Sequence, residues 1–428
     1  MSAVRVLRSE QLDETVHLAT VDGGVRVAVV PKPGFSTAAG YFGLRFGSTD
    51  TRFRRADGSL VEVPDGSAHF LEHKLFEGRE EKVFDRFGKL GADFNGGTGF
   101  RSTSYYFVSA GRFEESLDVL LDFVQRPLIT AERVEKEKGI IEQEVRMYED
   151  HPQFRGVFLL HRALYQAHAI RIPPGGTVEA VRSTTAEHLQ ACFDAFYRPQ
   201  NLVLSLAGDL DPERVFRLVE ERVEDRAAER VERIYPQEGG APAAAELEEE
   251  FAVSRPHLWL GWRDAAGAGT GQPLVERRVL SSLVLDLALG DSSELHQDLY
   301  QRGVVDDTFS AGFSCDFDYG YAVVSAQTEQ PERLVEEVRR AVARFVDEGP
   351  AEADLERVRR SAWGGLVTGL QAPGAVAGSV LQSLLLDQEP FGVLEVLAQV
   401  DVERLRRRAA ELLDPRMSAV ALLRPSAG

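Results

Sequence analysis

Residues 236–250, "PQEGGAPAAAELEEE", constrain the architecture more than any other stretch. They hold almost no large apolar side chain and are dense in Ala, Gly, Pro and Glu. Such a segment reads as a linker, so the 428 residues must build a core on each side of it. Before it, "TVHLAT" and "VRVAVV" flank Asp22-Gly23-Gly24 as a hairpin. "TAAGYFGLRFG" is a further strand, followed by a charged insert over 49–61. A helix is expected over 67–77 with Gly78 as its stop, "FDRFGKLGADFNGG" runs from helix into turn, and "STSYYFVSA" is β-prone. Helical periods follow over 113–125, 131–149, 154–166 and 185–196, and a strand over 201–207 leads to Asp211 as helix cap and Pro212 in the first turn.

The second half restarts with "HLWLGWR". Helices are expected over 272–288 and 293–302, two strands within "DTFSAGFSCDFDYGYAVVSAQ", further helices from 331 and a closing strand "MSAVALLRP". The expectation is an α+β protein of two similar-sized lobes, each a mostly antiparallel sheet packed against several helices. The domains are an N-terminal one over 1–235, the linker 236–250 and a C-terminal one over 251–428.

A net charge of −19 repels phosphate backbones and anionic lipid, so neither nucleic acid nor membrane is expected as a partner. No apolar run approaches the ~20 residues that span a bilayer. The opening "MSAVRVLRSEQLDETVHLATV" has no apolar core of a secretory signal, which makes the cytoplasm the default compartment. Cys192 and Cys315, the only cysteines, cannot form a cysteine metal cluster and read as reduced, buried small hydrophobes.

The chemistry concentrates in "PDGSAHFLEHKLFEG". In a helix, His69 and His73 lie one turn apart on one face, with Glu72 close to it. Two imidazoles at this spacing can hold one Zn2+ and leave the glutamate to activate metal-bound water, the inverted zincin order H-x-x-E-H. Five residues alone are equally compatible with a solvated histidine pair on an amphipathic helix.

A third ligand is suggested by "AERVEKEKGIIEQEVRMYED". Its apolar stripe runs Val134, Ile141 and Tyr148, with Ile140 and Val145 alongside, and the same face carries Glu137 and Glu144. A carboxylate turned inward costs several kcal/mol (about 3 or more) unless it is compensated. A metal compensates it: Glu144 becomes the third ligand, while Glu137, two turns earlier, holds the other ring nitrogen of a ligand histidine. The competing reading is a surface helix rich in Glu and Lys.

"HFLEHKLFEG", "FGKLGADFNGG…STSYYF", "VEKEKGIIEQEVRMYED" and "FYRPQNLVLSLAGDLDPE", in this order, resemble the landmarks of the insulinase and pitrilysin zinc metallopeptidases. The short bacterial members related to the mitochondrial processing peptidase β subunit are the nearest in kind. The resemblance implies half-clamshell lobes, zinc on His69, His73 and Glu144, Glu72 as general base and Glu137 behind the ligands. It also implies that Asn95 lies beside an edge strand that pairs with extended peptide. Gly96 stands where the family usually has Ala, which should loosen that strand.

The implied activity is zinc-dependent endopeptidase action on peptides or unfolded segments, with a non-catalytic scaffold subunit of the same fold as the alternative. Metal storage would leave Glu72 unexplained. The arginine–tyrosine clamp that such proteins often carry in a later domain is not evident: Tyr300 stands where the arginine is often found, and Arg302, Tyr319 and Tyr321 are weak substitutes. The resemblance therefore implies a heterodimer with a homologous metal-free chain, or otherwise a homodimer. Six further histidines (His151, His161, His168, His188, His257 and His296) show no second paired spacing.

Overall fold

The computed structural model describes residues 1–79, 81–264 and 269–426. The first-half strands are β1 (Arg5–Ser9), β2 (Glu14–Thr20), β3 (Arg26–Pro31), β4 (Ala38–Leu44), β5 (Arg52–Arg54), β6 (Leu60–Glu62), β7 (Asp93–Thr98), β8 (Thr103–Ser109), β9 (Leu202–Gly208) and β10 (Glu232–Arg233). Seven form one sheet in the order β1-β2-β3-β9-β4-β8-β7, which leaves β7 at an edge. All its neighbours pair antiparallel except β3 and β9. The charged insert becomes the β5–β6 hairpin, paired with β10.

The helices that build the site are α1 (Ser67–Phe76), α2 (Val83–Leu90), α3 (Phe113–Gln125) and α4 (Ala131–Glu149). Alternation sets β8: Thr103, Tyr105, Phe107 and Ser109 point inward and their neighbours are half-exposed. Tyr105 and Phe107 meet Leu117, Leu120 and Val124 from the 3.6-period stripe of α3, and all five are buried. Each such side chain stabilises the fold by about 1.5–3 kcal/mol on burial.

The second-half strands are β11 (Glu246–Phe251), β12 (His257–Arg263), β13 (Ser310–Cys315), β14 (Gly320–Gln327) and β15 (Ser418–Pro425), in the order β11-β15-β12-β14-β13. Only β11–β15 is parallel. The expected linker is thus partly sheet, because the alternating "ELEEEF" turns Leu247, Glu249 and Phe251 to the less exposed side and pairs along β15.

The chain divides into two compact units less simply than one cut at residue 235. One unit comprises 1–146, 172–235 and 367–390, the other 147–171, 236–366 and 391–428. Packing explains both exchanges. In α5 (Pro152–Leu164), Gly156 lies so near Trp259 of β12 that a Cβ there would fall 2.1 Å from the ring. Helix Pro373–Leu385 instead packs on β4 and β9, with Leu381, Leu384 and Leu385 buried. No helix among the described residues is long and apolar enough to cross a membrane.

Candidate metal centre

α1 begins one residue after Gly66, and its buried face carries Phe70, Leu71 and Leu75. That packing fixes the helix rotation, so His69 and His73 share a face as their spacing demands; their ring centroids are 4.7 Å apart. On α4, Val134, Ile141 and Val145 are buried and Glu137 is buried with them. Glu144 is half-buried. Ile140 departs from the expected stripe: it is 54% exposed and lines a pocket instead.

His69 Nε2 lies 3.6 Å from Glu144 Oε1, and His73 Nε2 lies 3.3 Å from Glu144 Oε2. One ligand atom from each of the three residues falls within 4.8 Å of the others. Ligands at about 2.0–2.1 Å around tetrahedral zinc stand ~3.3–3.4 Å apart, close to these two edges. His73 Nδ1 is 3.2 Å from Glu137 Oε1, which turns Nε2 inward, the ring nitrogen that a metal would take in place of a proton. His69 Nδ1 is buried without a hydrogen-bond partner, beside the turn in which Gly176 N–H donates to the Pro173 carbonyl at 2.8 Å. Two imidazoles and a carboxylate converging this way fit a zinc ion.

The electrostatics agree. Burial opposes a charge on His73, but its hydrogen bonds to Glu137 and Glu144 and the charge of Glu72 prevail and lift its pKa to about 9. Hydrogen bonds from His69 and His73 hold Glu144 well below the usual carboxylate range. The His73 contact likewise lowers Glu137. The cluster is an anionic cradle that demands positive charge.

Glu72 is 7% exposed, and burial raises its pKa. The hydrogen bond from Thr98 Oγ1 at 2.7 Å, with the nearby His69 and His73, offsets part of that rise. Thr98 belongs to β7, so the same strand that forms the sheet edge orients this carboxylate. Asn95 is exposed on that edge, opposite Tyr106 of β8, and its Oδ1 accepts from Gly96 N–H at 2.8 Å.

Gly96 has a steric reason. A Cβ there would lie 2.7 Å from Phe76 Cε2 and 3.1 Å from Glu72 Oε1. The Phe76 ring, held 5.4 Å from Phe123 and 5.6 Å from Phe84, occupies the room an alanine would need.

Sequence reasoning missed Lys74. It is 1% exposed, donates from Nζ to the Arg133 carbonyl at 2.9 Å and stands 2.5 Å from Glu77 and 3.6 Å from Glu137. A lysine directly after the second histidine gives no periodic signal, and only its partners reveal its burial. Thr98 and the pocket beside the cluster were missed too. That pocket has a volume of about 570 Å³ and is lined by Glu72, His73, Phe76, Phe84, Asn95 and Ile140, among others.

The clamp candidates all lie in the second unit. Tyr300 is half-exposed, and Arg302 pairs with Glu337 and, at 2.7 Å, with Asp298. Tyr319 and Tyr321 are buried, their rings near His168 and His161. Cys192 is buried and Cys315 half-buried, and both are free thiols.

Comparison with known proteins places the chain among peptidases. The family described as Insulinase (Peptidase family M16) matches residues 56–177, which contain every residue of the cluster, and the Peptidase M16 inactive domain matches 183–362. The chain is 35% identical to the uncharacterised zinc protease YmfH of Bacillus subtilis, over 94% of each protein. The crystal structure of an M16-like peptidase from Alicyclobacillus acidocaldarius superposes with a TM-score of 0.94 at 35% identity, covering 98% of this chain and 100% of that one. Pitrilysin shares the fold at 13% identity and a TM-score of 0.77, and the match covers 100% of this chain but 47% of pitrilysin. The chain belongs to the insulinase family of peptidases, family M16.

Proposed function

We propose that this chain is a zinc-dependent endopeptidase that hydrolyses peptides or unfolded polypeptide segments. The observation that carries the reading is the convergence of His69, His73 and Glu144 on one point, with the buried Glu72 beside it and no structural need for that grouping. Zinc, when bound by those three residues, supplies the Lewis acidity that acidifies water and polarises a scissile carbonyl.

The chain's own residues do the rest. Glu72 accepts a proton at its carboxylate from the attacking water as the new C–O bond forms, and Thr98 holds that carboxylate in place. Breakage of the C–N bond returns the proton from Glu72 to the departing amine. Glu137 fixes the His73 ring through Nδ1, and Lys74 neutralises Glu137 from beneath. An extended substrate adds to the open edge of β7 near Asn95, gaining backbone hydrogen bonds that are independent of its sequence.

The active form we infer is a pair of such chains, a heterodimer with a homologous metal-free partner or else a homodimer. Its support is that one chain matches about half of pitrilysin, together with the absence of an evident clamp arginine in this sequence. Purified protein should bind zinc and cleave a fluorogenic peptide, alone or with the partner, and Glu72→Gln should keep the zinc and lose the cleavage. Wild-type turnover by Glu72→Gln would refute the assignment.

A further inference from the structure

The pocket beside the cluster is lined by three cations that make no ion pair with a described residue. Its carboxylates are all engaged. Glu77 takes Lys74 and, at 3.4 Å, Arg133; Glu137 takes His73 and Lys74; Glu81 takes Lys89; Glu72 accepts from Thr98. Arg133 is engaged as well, donating to the Gly78 carbonyl at 2.8 Å. The other three cations of the lining, Arg79, Lys82 and Lys136, are exposed, and their side chains make no ion pair with any described residue.

A single exposed lysine is ordinary. Here three cations without an ion-pair partner among the described residues, from two separate segments, the α1–α2 connection and α4, converge on one pocket in a chain with 68 acidic and 49 basic residues. Between them the pocket is apolar, supplied by Phe76, Phe84 and Ile140. A short aliphatic stem ending in an anion matches both features.

The geometry points to a specificity subsite for an acidic substrate side chain, glutamate or aspartate, next to the scissile bond. This rests on the peptidase reading above. The side of the bond follows from β7. Glu72 lies against Gly96 and Thr98, whereas the pocket reaches Asn95, toward the start of the strand. A peptide running antiparallel to β7 therefore directs the residues after the cleaved bond into the pocket. The cations act on ground state and transition state alike, so the preference belongs in KM.

The test uses fluorescent peptides that differ only by Glu, Gln or Lys immediately after the cleaved bond. Their binding to the full-length Glu72→Gln protein is followed by anisotropy, and their hydrolysis by the wild type. The Glu peptide should bind about five- to tenfold more tightly than the Gln peptide, and the Lys peptide more weakly than either. The advantage should shrink at ~0.5 M salt. It should vanish when Arg79→Glu, Lys82→Glu and Lys136→Glu are added, with zinc content and unfolding midpoint unchanged. In the wild type it should appear in KM with kcat little altered. Equal binding of Glu and Gln peptides, or a preference that survives the charge reversal, overturns the subsite. Absence of hydrolysis of every peptide, with and without the partner chain, overturns the peptidase reading; charge-selective binding that the reversals abolish then upholds the pocket as a binding site for an acidic side chain but not as a cleavage subsite.

Discussion

His73, partly buried, and His161, fully buried, both sit on helices, yet the protein pulls them in opposite directions. Glu137, Glu144 and Glu72 surround His73 and raise its pKa to about 9 against the opposing effect of burial. His161, buried in the second unit with the Ile170 carbonyl 2.9 Å from its Nδ1, is driven down to about 4 by burial. The lesson is that burial alone drives a histidine toward neutrality. Carboxylates that converge on it do the reverse, because they create a demand for positive charge that a metal can meet.

The same contrast holds for buried ions and for sheet edges. In the second unit, Asp264 Oδ2 accepts from Arg277 Nε at 2.5 Å and from Arg408, whose Nε donates to Ser281 Oγ at 2.9 Å. That cluster is closed by protein donors and is structural, whereas the nitrogens of His69 and His73 converge on a shared point. The edge strand β11 carries exposed Glu246, Glu248 and Glu250, with Arg424 on Glu248, which discourages strand addition. β7, "DFNGGT", has only Asp93 as a charge and presents an open edge.

The contrast is sharpened most by Glu72→Gln. Its kcat should fall about 10²–10⁴-fold with zinc content unchanged, read by peptide cleavage and metal analysis. Asp264→Ala should do the reverse. Two buried arginines lose their acceptor, destabilising the unit by ~3–5 kcal/mol in urea denaturation, while zinc binding by the folded protein is kept. Loss of zinc there without loss of stability would break the distinction between closed and open clusters.

Next in size is the effect of acid on His161. Its pKa is about 6.5 unfolded and about 4 folded, so between those values the unfolded chain binds a proton that the folded chain does not. Stability therefore falls as pH drops through that window, by ~2 kcal/mol at about pH 5 and ~3 kcal/mol at about pH 4. His161→Gln should remove this slope; an unchanged slope would show that the histidine is not its source.

Glu137→Gln should weaken zinc affinity by about 10–100-fold in chelator competition, and Lys74→Met should follow it with a smaller loss if Lys74 acts through Glu137. Additive effects in the double variant would show instead that the two act separately. The smallest change is Gly96→Ala, expected to cost ~1–2 kcal/mol through crowding of Phe76 and to lower kcat by displacing Glu72. Phe76→Leu in the same chain should restore part of both.

The sequence by itself determined what local periodicity controls. α3 and α4 span the expected 113–125 and 131–149, Asp211 caps the helix starting at Pro212, and the Asp22-Gly23-Gly24 turn joins antiparallel β2 and β3. Glu137 and Glu144 are seven residues apart, nearly two helical turns, so a shared face follows from backbone geometry alone. The placement of that face against α1 was legible only through the cost of leaving two inward carboxylates unpaired.

Tertiary structure decided the remainder. "DFNGGT" reads locally as turn and becomes strand because β8 pairs with it. "ELEEEF" reads as linker and becomes strand because β15, more than 160 residues later, pairs with it. Lys74 is buried because Glu77, Glu137 and the Arg133 carbonyl surround its ammonium, and two of those three come from α4. Helix 373–385 joins the first unit because β4 and β9 leave an apolar face for it. Local sequence fixes which side of an element is apolar; the identity of the surface that covers it depends on partners distant in the chain, and neither periodicity nor propensity encodes them.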